Sequence, residues 1–252
     1  MIRAALLPLA LAFVVTSCGG EEASVQADLP VADVPIEPVA PPEGREWSDV
    51  VVATDAGGHR MGNPDAAIEI IEFLSLTCGA CASFDAEGSA PLEAYVDSGR
   101  VSYEIRNFPR DAVDMTATII SRCGGENSVF PLTHAMLGGQ QQWFGSNLPA
   151  IQEVLAQSEG QSPAQQFPRI AQASGLKTFA VQRGLPASRI DACLADESAA
   201  ERLVSLKGQY DADYVITGTP TFYMNGTRLE EWPWSAWEPH LKRALGEEVD
   251  AR

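Results

Sequence analysis

The sequence is short of positive charge, of histidine and of long apolar runs. It has 17 Lys and Arg against 34 Asp and Glu, a formal net charge of −17. This balance argues against nucleic-acid partners and against electrostatic attachment to anionic lipid. The three histidines, His59, His134 and His240, are isolated, and no second Cys-x-x-Cys accompanies the one at Cys78–Cys81. A structural zinc site needs two further ligands at close spacing, so the sequence predicts no metal centre.

Residues 1–17 are predicted to be an export signal. Arg3 supplies one positive charge, and the apolar run from Ala4 to Val15 is too short to span a bilayer. The run leads into Thr16-Ser17-Cys18, which resembles a bacterial lipobox, so Cys18 is the predicted lipidation site. An ordinary cleaved signal is the alternative. Gly19, rather than Asp, after Cys18 favours the outer membrane by resemblance to lipoprotein sorting rules. Either signal would deliver the chain to an oxidising compartment, the periplasm, where disulfides persist.

Residues 18–46 are predicted to be a disordered, Pro-rich and acidic tether. They contain five prolines among Glu, Asp, Val and Ala, and they show no sustained periodicity. The segment is too short and too polar to bury a core of its own, which disfavours a dimerisation module. We therefore expect a monomer, attached to a membrane only through a lipid.

The most informative stretch is an apolar run, residues 70–74, that leads into Cys78-Gly79-Ala80-Cys81. The run is short and β-branched, which is typical of a fully buried strand. Phe84 and Leu92 follow at helical spacing, so Cys78 lies where a strand ends and a helix begins. The positive end of a helix stabilises an anion, which predicts a thiolate at Cys78 and a more shielded partner at Cys81. Half of a zinc site looks the same, but the missing ligands favour a redox pair.

The rest of the folded chain divides into three segments. Residues 47–110 predict an edge strand at 50–53, a central strand at 67–74 and, after the helix, a parallel strand at 101–108. Residues 111–215 are helical in pattern, with helix starts predicted at Asp111, Ser128 and Ser162. Residues 216–252 return to strand at 217–224, turn at Asn225-Gly226 and end in a helix that carries Trp234 and Trp237.

Three of these features together resemble the DsbA-like branch of the thioredoxin superfamily. The first is residues 72–81, with an acid, Glu72, six residues before the first Cys. The second is Gly218-Thr219-Pro220-Thr221-Phe222, followed by Asn225-Gly226. The third is a helical insert of about a hundred residues between a βαβ half and a ββα half. The resemblance implies an α/β thioredoxin fold with a helical insertion domain, and an enzyme that needs no cofactor.

The resemblance also implies a role for each matching residue. Cys78 would be the nucleophile and Cys81 the resolving thiol. Pro220 would be a cis-proline facing the disulfide, with the Thr219 backbone exposed to pair with an extended substrate. A simple strand-initiating proline is the alternative. Glu72 would be a buried carboxylate with a raised pKa that takes the Cys81 proton, unless it reaches solvent at the strand end.

Two further cysteines, Cys123 and Cys193, lie on apolar faces of the helical segment. Export to an oxidising space favours a structural disulfide between them, and two buried free thiols are the alternative. A closure of about seventy residues stabilises a fold by roughly 4 kcal/mol in the loop-entropy model. For His134 we expect a structural role, and for Trp232, Trp234 and Trp237 a packing role.

The sequence departs from the strongly oxidising members at Ala80, where they carry His. Without that side chain we expect a less stabilised thiolate and a less oxidising disulfide. Thr219 before Pro220 is similar to isomerase- and reductase-leaning relatives, so the direction of electron flow stays open. The sequence thus predicts a periplasmic thiol–disulfide oxidoreductase that acts on unfolded or partly folded exported proteins and is served by a redox partner protein. A carrier of copper or a similar soft metal, bound by Cys78 and Cys81, is the alternative.

Overall fold

The computed structural model describes residues 29–249 of the chain. The predicted signal and the lipidation candidate Cys18 lie outside the described residues. Within 29–249, no helix is both long and apolar enough to cross a membrane.

One mixed sheet forms the centre of the fold. Its strands run in the order β1-β2-β4-β3-β5-β6. Their bounds are β1 Val51–Ala53, β2 His59–Gly62, β3 Ile68–Leu74, β4 Val101–Asn107, β5 Thr221–Met224 and β6 Thr227–Arg228. Strands β3 and β4 are parallel, and every other pairing is antiparallel. The predicted edge strand, central strand and parallel crossover are therefore present, whereas β2 was not expected.

Ten α-helices accompany the sheet in the described part of the chain. They are α1 Gly79–Asp97, α2 Ala112–Arg122, α3 Glu126–Gly138, α4 Gln140–Trp143, α5 Leu148–Gln157, α6 Pro163–Ala173, α7 Leu176–Val181, α8 Ala187–Ala195, α9 Glu197–Asp213 and α10 Trp234–Ala244. Helix α1 joins β3 to β4, and α2 to α9 form the helical insertion. Short 3₁₀ turns lie at Trp47–Asp49 and Gly145–Asn147.

Local capping explains where the predicted helices begin. The Asp111 side chain accepts hydrogen bonds from the backbone N–H groups of Val113 and Asp114, each at 2.9 Å, so α2 starts where the sequence predicts. The start expected at Ser128 is wrong, because α3 already begins at Glu126. Gly125 precedes it with a φ of 89°, a conformation that suits glycine.

The two faces of the central strand pack against different layers. Ile70 and Leu74 belong to the large core that includes α1, α10 and the insertion. Ile71 and Phe73 face the other way, towards Tyr210 of α9. Because side chains alternate along a strand, Glu72 lies on the same face as Ile70 and Leu74, under α1. This alternation places a carboxyl group in the apolar core.

Residues 29–46 lie along the folded domain. The backbone N–H of Ala32 bonds the Arg243 carbonyl at 3.1 Å, and the N–H of Ile36 bonds the Leu245 carbonyl at 2.9 Å. Val39 bonds Ser98, at the end of α1, at 2.9 Å. These bonds fix the backbone at three points, so the disordered tether expected for residues 18–46 is wrong for its described part. We call residues 29–46 the strap.

Two of the three tryptophans expected to pack do so. Trp234 and Trp237 are buried and form an aromatic cluster with Phe84 and Phe222. Trp232 differs, since it is 37% exposed in the loop before α10. The expectation of a packing role for Trp232 is therefore wrong.

Candidate active site

A tight turn holds the first cysteine between β3 and α1. Cys78 is the N-cap residue of α1, with extended backbone angles. The Ser75 carbonyl accepts its N–H at 3.2 Å, and the side chain of Gln140 in α4 donates to its carbonyl at 3.1 Å. The unpaired N–H groups of the first helical turn therefore lie beside the sulfur.

The loop after β4 and the first helix of the insertion fix this turn through residues that the sequence did not single out. Asp114 of α2 accepts the N–H of Leu76 at 2.9 Å, and Arg110 donates to the hydroxyls of Ser75 and Thr77 at 3.0 Å each. Burial is the main cause that raises the pKa of Asp114, to about 6. Sequence reasoning found the cap at Asp111 but had no signal that Asp114 reaches across to another element.

The two thiols of the Cys-x-x-Cys have opposite acidities. The pKa of Cys78 is lowered to about 5, and the largest cause is a hydrogen bond from the Cys81 thiol. Burial opposes this shift. The Thr219 side chain and the backbone N–H groups of Cys81 and Ala80 lower the pKa further. Burial raises the pKa of Cys81 well above its usual value, and the hydrogen bond to Cys78 and the charge of Glu72 add to this. Cys78 is 8% exposed and Cys81 is fully buried. The more exposed of the two thiols is thus the acidic one and the fully shielded thiol is the weakly acidic one, which is the order that exchange chemistry requires.

The loop before β5 lies against the Cys78 sulfur. The Thr219 carbonyl oxygen is 3.0 Å from Cys78 Sγ and accepts a hydrogen bond from it while Cys78 is a thiol. The Thr219–Pro220 peptide bond is cis, and Pro220 is buried. A groove of about 190 Å³ continues from this loop to Arg228 and Trp232. The fold thus brings together Cys78 and Pro220, which are 142 positions apart in the sequence.

Glu72 is 2% exposed and lies beneath the second thiol. Its carboxylate accepts a hydrogen bond from the Tyr103 hydroxyl, and its other oxygen is buried without a partner among the described residues. Burial raises the pKa of Glu72 to about 8, although the Tyr103 hydrogen bond lowers it. The alternative in which Glu72 reaches solvent is therefore wrong. Tyr103 was missed because it comes from β4, thirty-one positions away.

A second acidic side chain borders the same core. Asp85 lies on α1, one turn after Cys81, and accepts a hydrogen bond from His134 Nδ1 of α3. The Phe130 ring is 5.6 Å from that of Tyr103 and 6.3 Å from that of His134, measured between centroids. The charges of Asp85 and His134 both act on the Glu72 carboxyl.

The remaining cysteines lie in the insertion. A disulfide joins Cys123, at the end of α2, to Cys193 of α8, the same pair that the sequence predicts. Among residues 29–249, no group of three or more His, Cys, Asp and Glu is arranged to hold a metal ion.

Comparisons with known proteins show which family and fold the chain is similar to. A family model described as Thioredoxin matches residues 54–243. A Rickettsia bellii protein named "Putative protein-disulfide oxidoreductase" is 26% identical over 189 residues, which are 74% of this chain and 64% of the relative. A Rickettsia typhi protein of the same description is 24% identical over 194 residues, 76% of this chain and 63% of the relative. The chain thus spans less than two thirds of the length of these curated relatives.

In two solved structures the matched region makes up a larger share of the other chain than it does in the curated relatives. A protein-disulfide isomerase from Novosphingobium aromaticivorans has a TM-score of 0.72 and 30% identity, covering 76% of this chain and 98% of that one. The alpha-DsbA1 protein of Wolbachia pipientis has a TM-score of 0.61 and 19% identity, covering 82% and 94%. The predicted fold class, an α/β thioredoxin fold with a helical insertion, is confirmed.

Proposed function

This chain belongs to the thioredoxin family, and from that premise we propose that it is a thiol–disulfide oxidoreductase of exported proteins. The observation that carries the proposal is the position of Cys78. Its sulfur lies at the start of a helix and 3.0 Å from Thr219, next to a cis-proline, with the Cys81 thiol one turn behind it. A thiolate in this position can attack a disulfide, and a second thiol is in place to release the product.

The chemistry divides into two displacements. The Cys78 thiolate attacks one sulfur of a substrate disulfide; the substrate S–S bond breaks, a mixed disulfide forms, and the other substrate sulfur leaves as a thiolate. Cys81 then loses its proton, and its thiolate attacks Cys78 Sγ. The mixed disulfide breaks, Cys78 and Cys81 become a disulfide, and the substrate has gained two electrons. Run backwards, the same steps oxidise a substrate dithiol.

We propose Glu72 as the group that takes the Cys81 proton. Cys81 is buried with a pKa well above its usual value, so it does not ionise without a base. Efficient proton transfer needs an acceptor whose pKa is near the working pH, and burial gives Glu72 a pKa of about 8. Glu72 lies on the α1 side of β3, where Cys81 packs.

The groove beside Pro220 is the proposed substrate site. Thr219 lies against the Cys78 sulfur, and we propose that its backbone pairs with an extended segment of substrate there. Trp232 is 37% exposed at the other end of the groove, which suits the apolar side chains of an unfolded protein. We therefore propose unfolded or partly folded proteins as substrates.

Location and partners follow from the sequence. The residues 1–17 pattern supports export to the periplasm, and Cys18 is the proposed site of a lipid anchor, with the outer membrane favoured. A redox partner protein in the membrane or periplasm would restore the Cys78–Cys81 pair after each turnover.

The direction of electron flow is tied to the acidity of Cys78. A pKa of about 5 lies between the values of about 7 for thioredoxin and about 3.5 for DsbA. We therefore expect a reduction potential between their values of about −270 and −120 mV, which a redox titration against glutathione measures. A potential at the oxidising limit would contradict the weaker stabilisation expected from Ala80.

Trapping tests the proposed function. Reduced Cys81→Ala protein, mixed with a disulfide-containing unfolded substrate, should accumulate a mixed disulfide at Cys78 that a reductant reverses. The matched Cys78→Ala variant should form none. Adducts in neither variant, together with tight Cu(I) binding by the reduced protein, would instead favour the soft-metal carrier.

A further inference from the structure

One side chain of the helical insertion bonds the backbone on both sides of Thr77. The amide nitrogen of Gln140, the first residue of α4, donates to the Leu76 carbonyl at 2.9 Å and to the Cys78 carbonyl at 3.1 Å. A side-chain amide has two N–H donors, and both are used here. Gln140 therefore holds the Leu76–Thr77 and Cys78–Gly79 peptide groups together, and the proposed function so far gives it no role.

The Cys78–Gly79 peptide group sets how the active-site thiol meets the helix end. Its carbonyl also accepts the N–H of Ala82 at 3.1 Å, which is the first hydrogen bond of α1. The Cys78 backbone is extended, with a φ of −87° and a ψ of 123°. Rotation about ψ turns the first helical turn relative to the Cys78 side chain, so a second donor on the same carbonyl restricts that rotation.

The other contacts of the turn leave this peptide group to Gln140. Asp114 accepts the Leu76 N–H at 2.9 Å, and Arg110 donates to the hydroxyls of Ser75 and Thr77. Among residues 29–249, Gln140 is the one side chain that bonds the backbone of Cys78 itself. Its loss would therefore leave the entry to the turn held and the Cys78 carbonyl with the α1 bond alone.

Helix α4 is a fixed support for the Gln140 amide. Trp143, one turn after Gln140, is 1% exposed, and its indole N–H donates to the Met136 carbonyl at 2.7 Å. At Gly139, immediately before Gln140, an added Cβ would lie 2.6 Å from the Phe179 ring. The junction of α3 and α4 thus packs closely against α7, which holds the amide in place over the turn.

We propose that Gln140 is a positioning residue for the attacking thiol, because it fixes the Cys78–Gly79 peptide group so that the N–H groups of the first turn of α1 face Cys78 Sγ. This inference rests on the proposed function, in which Cys78 is the nucleophile. The backbone N–H groups of Ala80 and Cys81 lower the pKa of Cys78. Without the Gln140 amide these donors are held less closely to the sulfur, so the thiolate loses stabilisation that the thiol and the disulfide never had.

The test compares the ionisation of Cys78 in variants of the full chain with Cys18→Ser. Gln140→Met has a side chain of similar length without donors. Gln140→Asn keeps the amide but is one methylene shorter, so it should reach at most one of the two carbonyls. Gln142→Met is the matched control, because Gln142 is exposed on the same helix and its side chain makes no hydrogen bond to the described part of the chain.

The ultraviolet thiolate absorbance reports Cys78 alone below pH 8, since the pKa of Cys81 is well above its usual value. We expect Gln140→Met to weaken the thiolate about fivefold, the contribution of one hydrogen bond, and so to raise the midpoint by about 0.7 pH unit. Gln140→Asn should raise it less, and Gln142→Met should match the wild type. Because reduced Cys78 is mainly thiolate at neutral pH, the equilibrium with glutathione should move about fivefold towards the Cys78–Cys81 disulfide.

Asn147→Ala separates this positioning from a general loosening of the insertion. The Asn147 amide donates to three carbonyls at the other end of α4, those of Gln142, Trp143 and Ser174, at 3.1–3.2 Å. It makes no hydrogen bond to the Cys78 turn within residues 29–249. Asn147→Ala should therefore lower the thermal unfolding temperature and leave the midpoint of Cys78 where it is.

An unchanged midpoint in Gln140→Met would overturn the positioning role. So would equal shifts in Gln140→Met and Asn147→Ala, because the shift would then reflect a loosened insertion. Should Gln140→Met not fold, an unchanged midpoint in Gln140→Asn would overturn the role instead. The trapping experiment keeps the two proposals apart: no adduct in Cys81→Ala refutes the proposed function whatever the midpoints, whereas an adduct together with an unmoved midpoint in Gln140→Met refutes only the role of Gln140.

Discussion

Replacing Glu72 with Gln should make the protein more stable, and increasingly so as the pH rises. Burial holds the pKa of Glu72 at about 8, against an ordinary value of 4.5. At pH values between these two, the Glu72 carboxyl is ionised in the unfolded chain but protonated in the folded chain. The free energy of unfolding of the wild type therefore falls as pH rises through this range, since the folded state binds more protons.

The magnitude follows from the same two pKa values. At about 1.4 kcal/mol per pH unit, the difference between 4.5 and about 8 corresponds to about 5 kcal/mol at full ionisation. Gln has nearly the same shape and still accepts a hydrogen bond from the Tyr103 hydroxyl, so Glu72→Gln should match the wild type near pH 4, below the ordinary pKa of Glu. Its free energy of unfolding should exceed that of the wild type by an amount that grows up to about pH 8 and then levels off.

Urea unfolding across this pH range measures the effect. Both proteins should carry Cys78→Ser and Cys81→Ser, so that thiol ionisation does not contribute. Glu69→Gln, on the same strand but half-exposed, is the control and should run parallel to the wild type. Parallel curves for Glu72→Gln as well would refute the raised pKa of Glu72, and with it the reason for proposing the ionised form of Glu72 as the base for Cys81.

Three other changes test separate parts of the structure. Replacing Cys123 and Cys193 together by Ala should lower the free energy of unfolding by about 4 kcal/mol, because the disulfide closes a separation of 70 residues; a loss below about 1 kcal/mol would contradict this. The ultraviolet thiolate absorbance of the reduced protein should rise with a midpoint near pH 5 and vanish in Cys78→Ser; a midpoint near 9 would contradict the helix-end thiolate. Gly246→Ala should destabilise the protein more than Gly160→Ala. Both glycines have a positive φ, but only at Gly246, of these two, would an added Cβ collide with the strap, at the Val34 carbonyl. Equal decreases in the thermal unfolding temperature would show that the strap does not lie against Gly246.

Local patterns predicted the elements that carry the chemistry. The apolar run before Cys78 and the helical spacing after it located β3 and α1, because a buried strand and an amphipathic helix each leave a periodic signature. Strand β2 was missed, since His59–Gly62 shows no alternation and is held by pairing with β1 and β4. Its strand conformation is a property of the sheet, and the isolated segment gives no sign of it.

The sequence predicted only those site residues that are marked by their spacing from Cys78 or by a local motif. Spacing from Cys78 located Glu72, and the proline-containing loop located Thr219. Tyr103 was not recognised, and His134 was expected only to be structural. Their hydrogen bonds, to Glu72 and to Asp85, join elements that are distant in the sequence. A partial signal existed in Asp85, whose position one turn after Cys81 placed an acid on the buried face of α1.

The strap changes how far the active site can travel from a membrane. Were Cys18 lipidated as proposed, a free tether through residue 46 would have allowed the domain about 100 Å of extended chain. With residues 29–46 bonded to α1 and α10, the ten residues between Cys18 and the strap span at most about 35 Å, whatever their conformation. An enzyme anchored through so short a segment would work close to the lipid surface. It would meet exported chains near the membrane and not those farther away in the periplasm.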